Sequence, residues 1–170
     1  EYAIKIVGAG HVVAHNYVAN FHDGIDHATY GVPEGYSAYG APDVYPLEEV
    51  FKEDKMFVAT DIYNNFITNI HDDFIEADGA MYNIRVLRNA CINAASNGFS
   101  TQTLYGGPAY FIRNILYNVP NIPKHHSNPS GQLYYHNTFL AESAAAQSSN
   151  YHFRNNLFLG WHATKPIFSV

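Results

Sequence analysis

The sequence has few cysteines, few basic residues and no long apolar run, and each shortage excludes a class of protein. Cys91 is the single cysteine in 170 residues, so no internal disulfide can form. Nine Lys and Arg against fifteen Asp and Glu give a formal net charge of −6, which argues against a nucleic-acid partner. No apolar run approaches the roughly 20 residues that a membrane span requires. The sequence therefore predicts neither nucleic-acid binding nor a membrane span.

Helix signals are also scarce, whereas asparagine and aromatic residues are abundant. A hydrophobic content of 47% over this length suits one domain, residues 1–170, with a sizeable core. The opening stretch, EYAIKIVGAGHVV, is typical of a strand that is already under way. We therefore expect a processed chain or a piece of a longer one.

A short phrase with a central asparagine recurs through the chain after apolar residues. The aligned asparagines are Asn16, Asn65, Asn89, Asn114, Asn137 and Asn155, which are 49, 24, 25, 23 and 18 residues apart. A second asparagine follows four residues later in the first four phrases, at Asn20, Asn69, Asn93 and Asn118. Repeats with a period near 24 indicate a solenoid built from equivalent turns of chain.

This pattern predicts an all-β fold, a right-handed parallel β-helix of about six coils. Asparagine tolerates the left-handed backbone that tight turns require, and stacked asparagines can hydrogen-bond from coil to coil. A β-sandwich with Asn-rich turns is the alternative, but its turns would come every 8–12 residues without a residue in fixed register.

Residues 29–56 explain the doubled first interval. They carry Gly, Pro and Tyr and lack the asparagine phrase. We predict an insertion loop that leaves the coil and overhangs the neighbouring acidic face; an extra, degenerate coil would also fit the spacing.

Several stretches resemble the right-handed parallel β-helix repeat proteins of the pectate-lyase-like superfamily. They include HDDFIEADG, NIRVLRN, GFSTQTLYGGPAYFIRNILYN and FRNNLFLG. The stretches HDGID and HDD are also similar to the paired Asp motifs of polygalacturonases, although no Gly-His-Gly or Arg-Ile-Lys motif follows. The resemblance implies a secreted, extracellular or periplasmic bacterial protein that acts on a polysaccharide or oligosaccharide.

Two acidic phrases, NFHDGIDHATYG and NIHDDFIEADG, have the same register if Ile25, Ile75 and Phe99 point inward. Strand alternation then sends the following residues outward. One outward column holds Asp26, Glu76 and Ser100, a second holds Asp23, Asp73 and Asn97, and a third holds Ala28, Asp78 and Gln102. Capping of turns by Asp72 and Asp73 is the structural alternative. The repeated cluster instead favours a site, and we expect Asp26, Asp73 and Glu76 to converge on one solvent-reachable groove with Asp23 and Asp78 at its margins.

Carboxylates this close must share a proton or a cation. If a proton is retained, the cluster can act as the general acid of a glycosidase. Asp26, Asp73 and Glu76 are then the catalytic residues, and no cofactor is required. A retained cation predicts a calcium site of Asp23, Asp26, Asp73 and Glu76. The resemblance then implies a lyase, with Lys124 as the base.

The remaining candidates lie around this cluster. We place Asp23, Asp78, Arg113, Tyr105 and His125 as substrate-binding residues. A third hypothesis is a non-catalytic β-helix that binds glycan or builds an appendage, because one architecture hosts all three functions.

Overall fold

The structure is a computed structural model and describes residues 2–27, 30–31, 44–45, 57–102, 104–125, 129–145, 149–160 and 168–169. All regular elements in these ranges are strands, and none of these residues belongs to a helix long and apolar enough to cross a membrane. The first ten strands are β1 Tyr2–Ile6, β2 Val12–Ala14, β3 Tyr17–Ala19, β4 Asp23–His27, β5 Tyr30–Gly31, β6 Val44–Tyr45, β7 Phe57–Val58, β8 Asp61–Tyr63, β9 Phe66–Ile70 and β10 Asp73–Glu76. The others are β11 Ala80–Tyr82, β12 Ile84–Leu87, β13 Ala90–Ala94, β14 Asn97–Thr101, β15 Tyr105–Ile112, β16 Ile115–His125, β17 Ser130–Tyr135, β18 Thr138–Ala145, β19 Ser149–Arg154, β20 Leu157–Gly160 and β21 Phe168–Ser169.

Three parallel ladders organise most of these strands. The first ladder runs β2–β8–β12–β15–β17–β19, the second runs β3–β9–β13–β16–β18–β20, and the third runs β1–β4–β10–β14–β16. The long strand β16 belongs to the second and third ladders and joins them into one 11-stranded sheet that nearly closes on itself. The all-β prediction with parallel sheets is confirmed. The parallel pairing contradicts the sandwich alternative, whose sheets are antiparallel.

Within each ladder, a strand pairs with its equivalent about one repeat later in the sequence. In the second ladder, Ile67 pairs with Cys91, Cys91 with Leu116, and Leu116 with Phe139. These four side chains are fully buried and belong to one continuous core. The repeat of the sequence is thus the repeat of the structure, and burial of each apolar side chain depends on its neighbours above and below.

An aromatic stack continues the core toward the last strands. The rings of Phe111 and Tyr134 are stacked with centroids 4.6 Å apart, and those of Tyr134 and Phe153 are stacked at 4.8 Å. These distances match the spacing of hydrogen-bonded strands, because each ring occupies the same position in its strand as the one before it.

The predicted asparagine ladder is present, with one correction at its end. The amide nitrogen of each member donates to the side-chain oxygen of the next, from Asn16 through Asn65, Asn89, Asn114 and Asn137 to Asn156. The assignment of Asn155 was wrong by one residue. Tyr135 pairs with Arg154, so the residue aligned with Asn137 is Asn156.

Of the two reasons given for asparagine in this ladder, hydrogen bonding from coil to coil is confirmed and the left-handed backbone was wrong. The residue before each ladder asparagine adopts the left-handed backbone, with φ between 52° and 61° at His15, Asn64, Arg88, Arg113, His136 and Asn155. Three residue types, His, Asn and Arg, thus occupy the left-handed position, whereas the ladder position is always asparagine. The ladder position requires asparagine because its side chain also donates to a main-chain carbonyl, as Asn114 does to Val86 at 2.8 Å.

The second row of asparagines behaves as predicted. Asn20, Asn69, Asn93 and Asn118 all have φ between 54° and 65°. Each amide nitrogen donates to the preceding member of the row, at 3.3, 3.3 and 2.9 Å. Unlike the asparagine ladder from Asn16 to Asn156, this row is exposed.

The 49-residue interval between Asn16 and Asn65 adds no extra strand to the third ladder. Ile25 of β4 pairs directly with Ile75 of β10, so no strand from the intervening residues lies between them. Most of residues 29–56 lies outside the described residues, and the predicted overhang of the acidic face stays a prediction. Two short strands there, β5 and β6, pair with each other.

Candidate active site

The third ladder brings the two acidic phrases side by side. Asp73 pairs with Asn97 and Glu76 with Ser100, while Ile75 pairs with both Ile25 and Phe99. The register therefore places Asp23 beside Asp73 and Asp26 beside Glu76, as predicted. Ala28, assigned to the third column, lies outside the described residues. We refer to Asp23, Asp26, Asp73, Glu76 and Asp78 as the acidic cluster.

Two glycines allow the strands of this ladder to approach closely. A Cβ on Gly24 would collide with the carbonyl oxygen of Phe74, and a Cβ on Gly98 would collide with Leu116. The backbone between Asp23 and Ile25 therefore lies tight against β10. This contact is visible in the hydrogen bond that the Asp73 N–H donates to Asp23 Oδ1 at 3.3 Å.

The cluster is more enclosed than the prediction of an open groove required. Asp23, Asp26, Asp73 and Asp78 are at most 4% exposed, and Glu76 alone is partly exposed. The sequence did not show that β1 would pair with β4 and place Tyr2 and Lys5 beside Asp23 and Asp26. Glu76 is consequently the member of the acidic cluster that a ligand would reach first.

Asp26 and Glu76 form a hydrogen-bonded carboxyl pair. Burial raises the pKa of Glu76 far above its ordinary value, and the neighbouring charges of Asp78, Asp26 and Asp73 raise it further. Burial also raises the pKa of Asp26, although the hydrogen bond from Glu76 and the charge of Lys5 oppose that rise. Two carboxyl groups that share a hydrogen bond cannot both be ionised, so the pair retains one proton. The larger rise in pKa assigns that proton to Glu76.

Asp73 has a different environment because Lys124 binds it. Lys124 Nζ lies 2.9 Å from Asp73 Oδ2 and 3.8 Å from Asp72 Oδ2. Burial raises the pKa of Asp73 to about 7, and the ammonium opposes the rise. The other oxygen, Asp73 Oδ1, is buried and has no hydrogen-bond partner among the described residues. Asp73 thus has one oxygen bonded to Lys124 and one oxygen without a hydrogen-bond partner among the described residues.

Asp78 is held by its neighbours in the third column. Ser100 Oγ and the Gln102 N–H each donate to Asp78 Oδ1 at 2.8 Å, and Gln102 Nε2 donates to Oδ2 at 3.0 Å. Burial nonetheless raises its pKa, and these hydrogen bonds only oppose the rise. The predicted alignment of Asp78 with Gln102 is confirmed, but Asp78 is fully enclosed and does not lie at the margin of a groove.

Among the described residues, two sets of side chains could hold a metal ion. Asp23, Asp73 and Glu76 each offer an oxygen within 4.8 Å of the others, and His22, Asp23 and Asp72 form a second such set. The first set contains three of the four predicted calcium ligands. The fourth, Asp26, is hydrogen-bonded to Glu76. The unpartnered Asp73 Oδ1 is compatible with a cation, whereas the Lys124 ammonium already supplies a positive charge at the same carboxylate.

The structure does not place the other predicted substrate-binding residues with the acidic cluster. Arg113 lies at the turn between β15 and β16, which joins the first and second ladders. Tyr105 packs against a separate small apolar cluster of Val58 and Met81. His125 follows Lys124 on β16, and its ring contacts Thr101 and Tyr151.

His125 belongs to a buried polar network that the sequence did not reveal. Its Nδ1 lies 2.8 Å from Thr101 Oγ1, and Gln132 Nε2 donates to both Thr101 Oγ1 and the Tyr151 hydroxyl. Burial lowers the pKa of His125 to about 4, so the ring is neutral near pH 7. Tyr134 completes the network by donating to Gln132 Oε1 at 2.6 Å.

Sequence reasoning also missed Asp72 and Lys5 as neighbours of the acidic cluster. Asp72 accepts from Asn97 Nδ2 at 2.9 Å and lies near Lys124. Lys124, which was predicted as a base, follows Ser100 in the same outward column that contains Asp26 and Glu76. His22 and His71 lie at matching turns, and their ring centroids are 4.7 Å apart.

No family model, curated protein or solved structure matches the chain. The similarity to β-helix repeat proteins therefore stays a resemblance. A functional proposal therefore rests on the chemistry of the acidic cluster.

Proposed function

We propose that the chain is a right-handed parallel β-helix of about six coils that hydrolyses a polysaccharide outside the cytoplasm. The three ladders support the fold, because the chain visits them in a fixed order and returns to each after one repeat. Right-handed crossovers between parallel strands are the rule in about 98% of cases. The secreted location rests on the resemblance alone.

The observation that carries the hydrolase proposal is the hydrogen-bonded pair of Asp26 and Glu76. A glycosidase needs a carboxylic acid that keeps its proton near neutral pH and delivers it to the leaving oxygen. Glu76 meets this requirement because burial and its acidic neighbours raise its pKa, and it is the most accessible member of the acidic cluster.

Asp73 suits the role of nucleophile. Lys124 favours its ionised form, and its Oδ1 has no hydrogen-bond partner among the described residues. Because this oxygen is buried, the proposal requires the acidic cluster to open before Oδ1 can bond to a sugar carbon. The oxygens of Asp73 and Glu76 that could share a ligand lie within 4.8 Å of each other. Retaining glycosidases have carboxyl groups about 5–5.5 Å apart, whereas inverting ones need about 6.5–9.5 Å to admit water.

The proposed reaction has two steps. In the first, Asp73 Oδ1 bonds to the anomeric carbon while the glycosidic C–O bond breaks, and the proton of Glu76 passes to the leaving oxygen. In the second, the Glu76 carboxylate takes a proton from water, the water oxygen bonds to the anomeric carbon, and Asp73 leaves. Glu76 is protonated again and the anomeric configuration is retained.

A panel of polysaccharides with analysis of the products tests this proposal. We expect new reducing ends, retained anomeric configuration by NMR and no absorbance from unsaturated uronate. The rate should rise with pH through about 7, because Asp73 must be ionised to act while Glu76 keeps its proton at higher pH. Inverted products would contradict the role of Asp73, and glycan binding without cleavage would select the non-catalytic alternative.

A calcium-assisted lyase is the second candidate, favoured by the unpartnered Asp73 Oδ1 within a set of possible metal ligands. In it, Asp23, Asp73 and Glu76 would hold the cation, which would neutralise a uronate. The acidic neighbours raise the pKa of Lys124, and an ammonium held in this way is a poor base. Unsaturated products that require added calcium and disappear with a chelator would select the lyase over the hydrolase.

A further inference from the structure

The outer face of the second ladder is largely apolar, and at least one of its side chains is exposed on most of its strands. Two outward columns run across β3, β9, β13, β16, β18 and β20, and neither contains a charged residue. Their most exposed members are Tyr17, Phe66, Ile115, Tyr117, Leu157 and Leu159, of which Tyr17 is 73% exposed and Tyr117 is 52% exposed. Contiguous exposed apolar surface on this scale usually marks a binding surface.

Two arginines and a histidine border this face at the turn before the second ladder. Arg88, Arg113 and His136 occupy equivalent left-handed turn positions in successive repeats. They line a cavity of about 250 Å³ together with Leu87, Ile112 and Tyr135. Arg88 bonds to the neutral amide of Asn64, and neither arginine has an acidic partner among the described residues. In a chain with a net charge of −6, this is a local concentration of positive charge.

The opposite border of the face carries the exposed amide row of Asn20, Asn69, Asn93 and Asn118. Amide side chains both donate and accept hydrogen bonds. The second ladder therefore offers three parallel strips: cations at one edge, apolar and aromatic side chains in the middle, and amides at the other edge.

These strips match the chemistry of an anionic polysaccharide. Adjacent strands are about 4.8 Å apart, so the backbone positions of Arg88 and Arg113 are separated by close to the length of one sugar ring. Uronate carboxylates can pair with arginine, ring C–H faces can lie on Tyr and Phe, and hydroxyls can bond to amides. Nucleic acid fits less well, because double-stranded DNA carries one charge per roughly 1.7 Å and needs a denser cationic surface.

We propose that the outer face of the second ladder, with Arg88 and Arg113 at its edge, binds a strand of anionic polysaccharide along the stack of strands. This site is distinct from the acidic cluster on the third ladder. It goes beyond the proposed hydrolysis, because it would hold the polymer whether or not the cluster cleaves it.

Calorimetric titration of the whole chain with a uronate oligosaccharide tests the inference, with the neutral hexose counterpart as the reference ligand. We expect tighter binding of the uronate, weakened by added salt. Arg113→Gln should lose about tenfold in uronate affinity and little in hexose affinity. Tyr117→Ser should weaken both, because it removes a stacking surface without removing a charge.

Two matched variants separate this site from the others. Arg85→Gln removes another exposed arginine, which is paired with Asp61 on the first ladder, and should bind like the wild type. Arg113→Gln should cause the same loss of uronate affinity in a Glu76→Gln background as in the wild type, whether or not Glu76→Gln has lost hydrolysis, because the two sites are separate. Wild-type affinity in Arg113→Gln, or preferential binding of single-stranded nucleic acid, would overturn the inference. A dimer that Tyr117→Ser converts to monomer would assign the face to a second copy of the chain.

Discussion

Glu76→Gln should abolish hydrolysis and leave the protein at least as stable as the wild type. The amide keeps the shape of the protonated acid but has no proton to deliver, so the rate should fall at least about a hundredfold. Near neutral pH the wild type must take up a proton at Glu76 when it folds, because burial raises the pKa of this group. The neutral amide avoids that cost, so the melting temperature should be unchanged or higher. Turnover on the best polysaccharide of the panel and thermal unfolding are the two measurements.

Asp61→Asn is the matched control for that variant. Asp61 is a partly exposed acid on the first ladder, bonded to Arg85 and outside the acidic cluster. Its replacement should leave the rate unchanged. A Glu76→Gln protein that unfolds more easily yet keeps full turnover would show that the acidic phrase has a structural role.

Lys124→Met should cause the largest loss of stability among the predicted variants, and the loss should depend on pH. The substitution leaves the fully buried Asp73 carboxylate without its ammonium partner. Breaking a buried ion pair in this way costs about 3–5 kcal/mol. Urea unfolding at about pH 8 should show a decrease of that size in the free energy of unfolding.

The sign of the pH dependence follows from the pKa of Asp73. Burial raises the folded-state pKa to about 7, so the protonated form stabilises the fold at low pH and this contribution is lost as the pH rises through about 7. Without Lys124 the pKa of Asp73 should rise further, because the ammonium opposes its rise in the wild type. At about pH 5 Asp73 is protonated in both proteins, and the difference in stability should therefore be smaller.

A second substitution checks that assignment. Asp73→Asn in the Lys124→Met background replaces the unpaired carboxylate by a neutral amide and should restore most of the lost stability at about pH 8. Lys5→Met removes an exposed lysine near Asp26 and serves as the control, with a small effect. Equal stability of Lys124→Met and wild type at both pH values would contradict the ion-pair interpretation.

Much of the fold follows from the sequence because each repeat must satisfy the same hydrogen bonds and bury equivalent side chains. Alignment of the inward apolar residues predicted the strand register of the third ladder, in which Ile75 pairs with Ile25 on one side and with Phe99 on the other. The prediction failed by one residue at Asn155, where two consecutive asparagines made the alignment ambiguous. It also misjudged the turns, because Arg, His and Asn all adopt the left-handed backbone there.

The candidate site was predictable in position but not in its environment. Strand alternation was enough to group Asp23, Asp26, Asp73 and Glu76, since register alone determines which side chains are neighbours. Burial could not be deduced, because it depends on β1 beside β4 and on hydrogen bonds such as those of Asp78 with Ser100 and Gln102. Lys124 was predicted as a base, yet its ion pair with Asp73 keeps it protonated.

The central claim is that the acidic cluster retains a proton on Glu76 under conditions in which an ordinary glutamic acid is ionised. Infrared difference spectroscopy of the wild type and Glu76→Gln at about pH 9 measures this directly, because a protonated carboxyl and a carboxylate absorb separately. We predict a protonated-carboxyl band in the wild type that is absent from the variant. A wild-type spectrum with no such band, or one that Glu76→Gln leaves unchanged, would contradict the account.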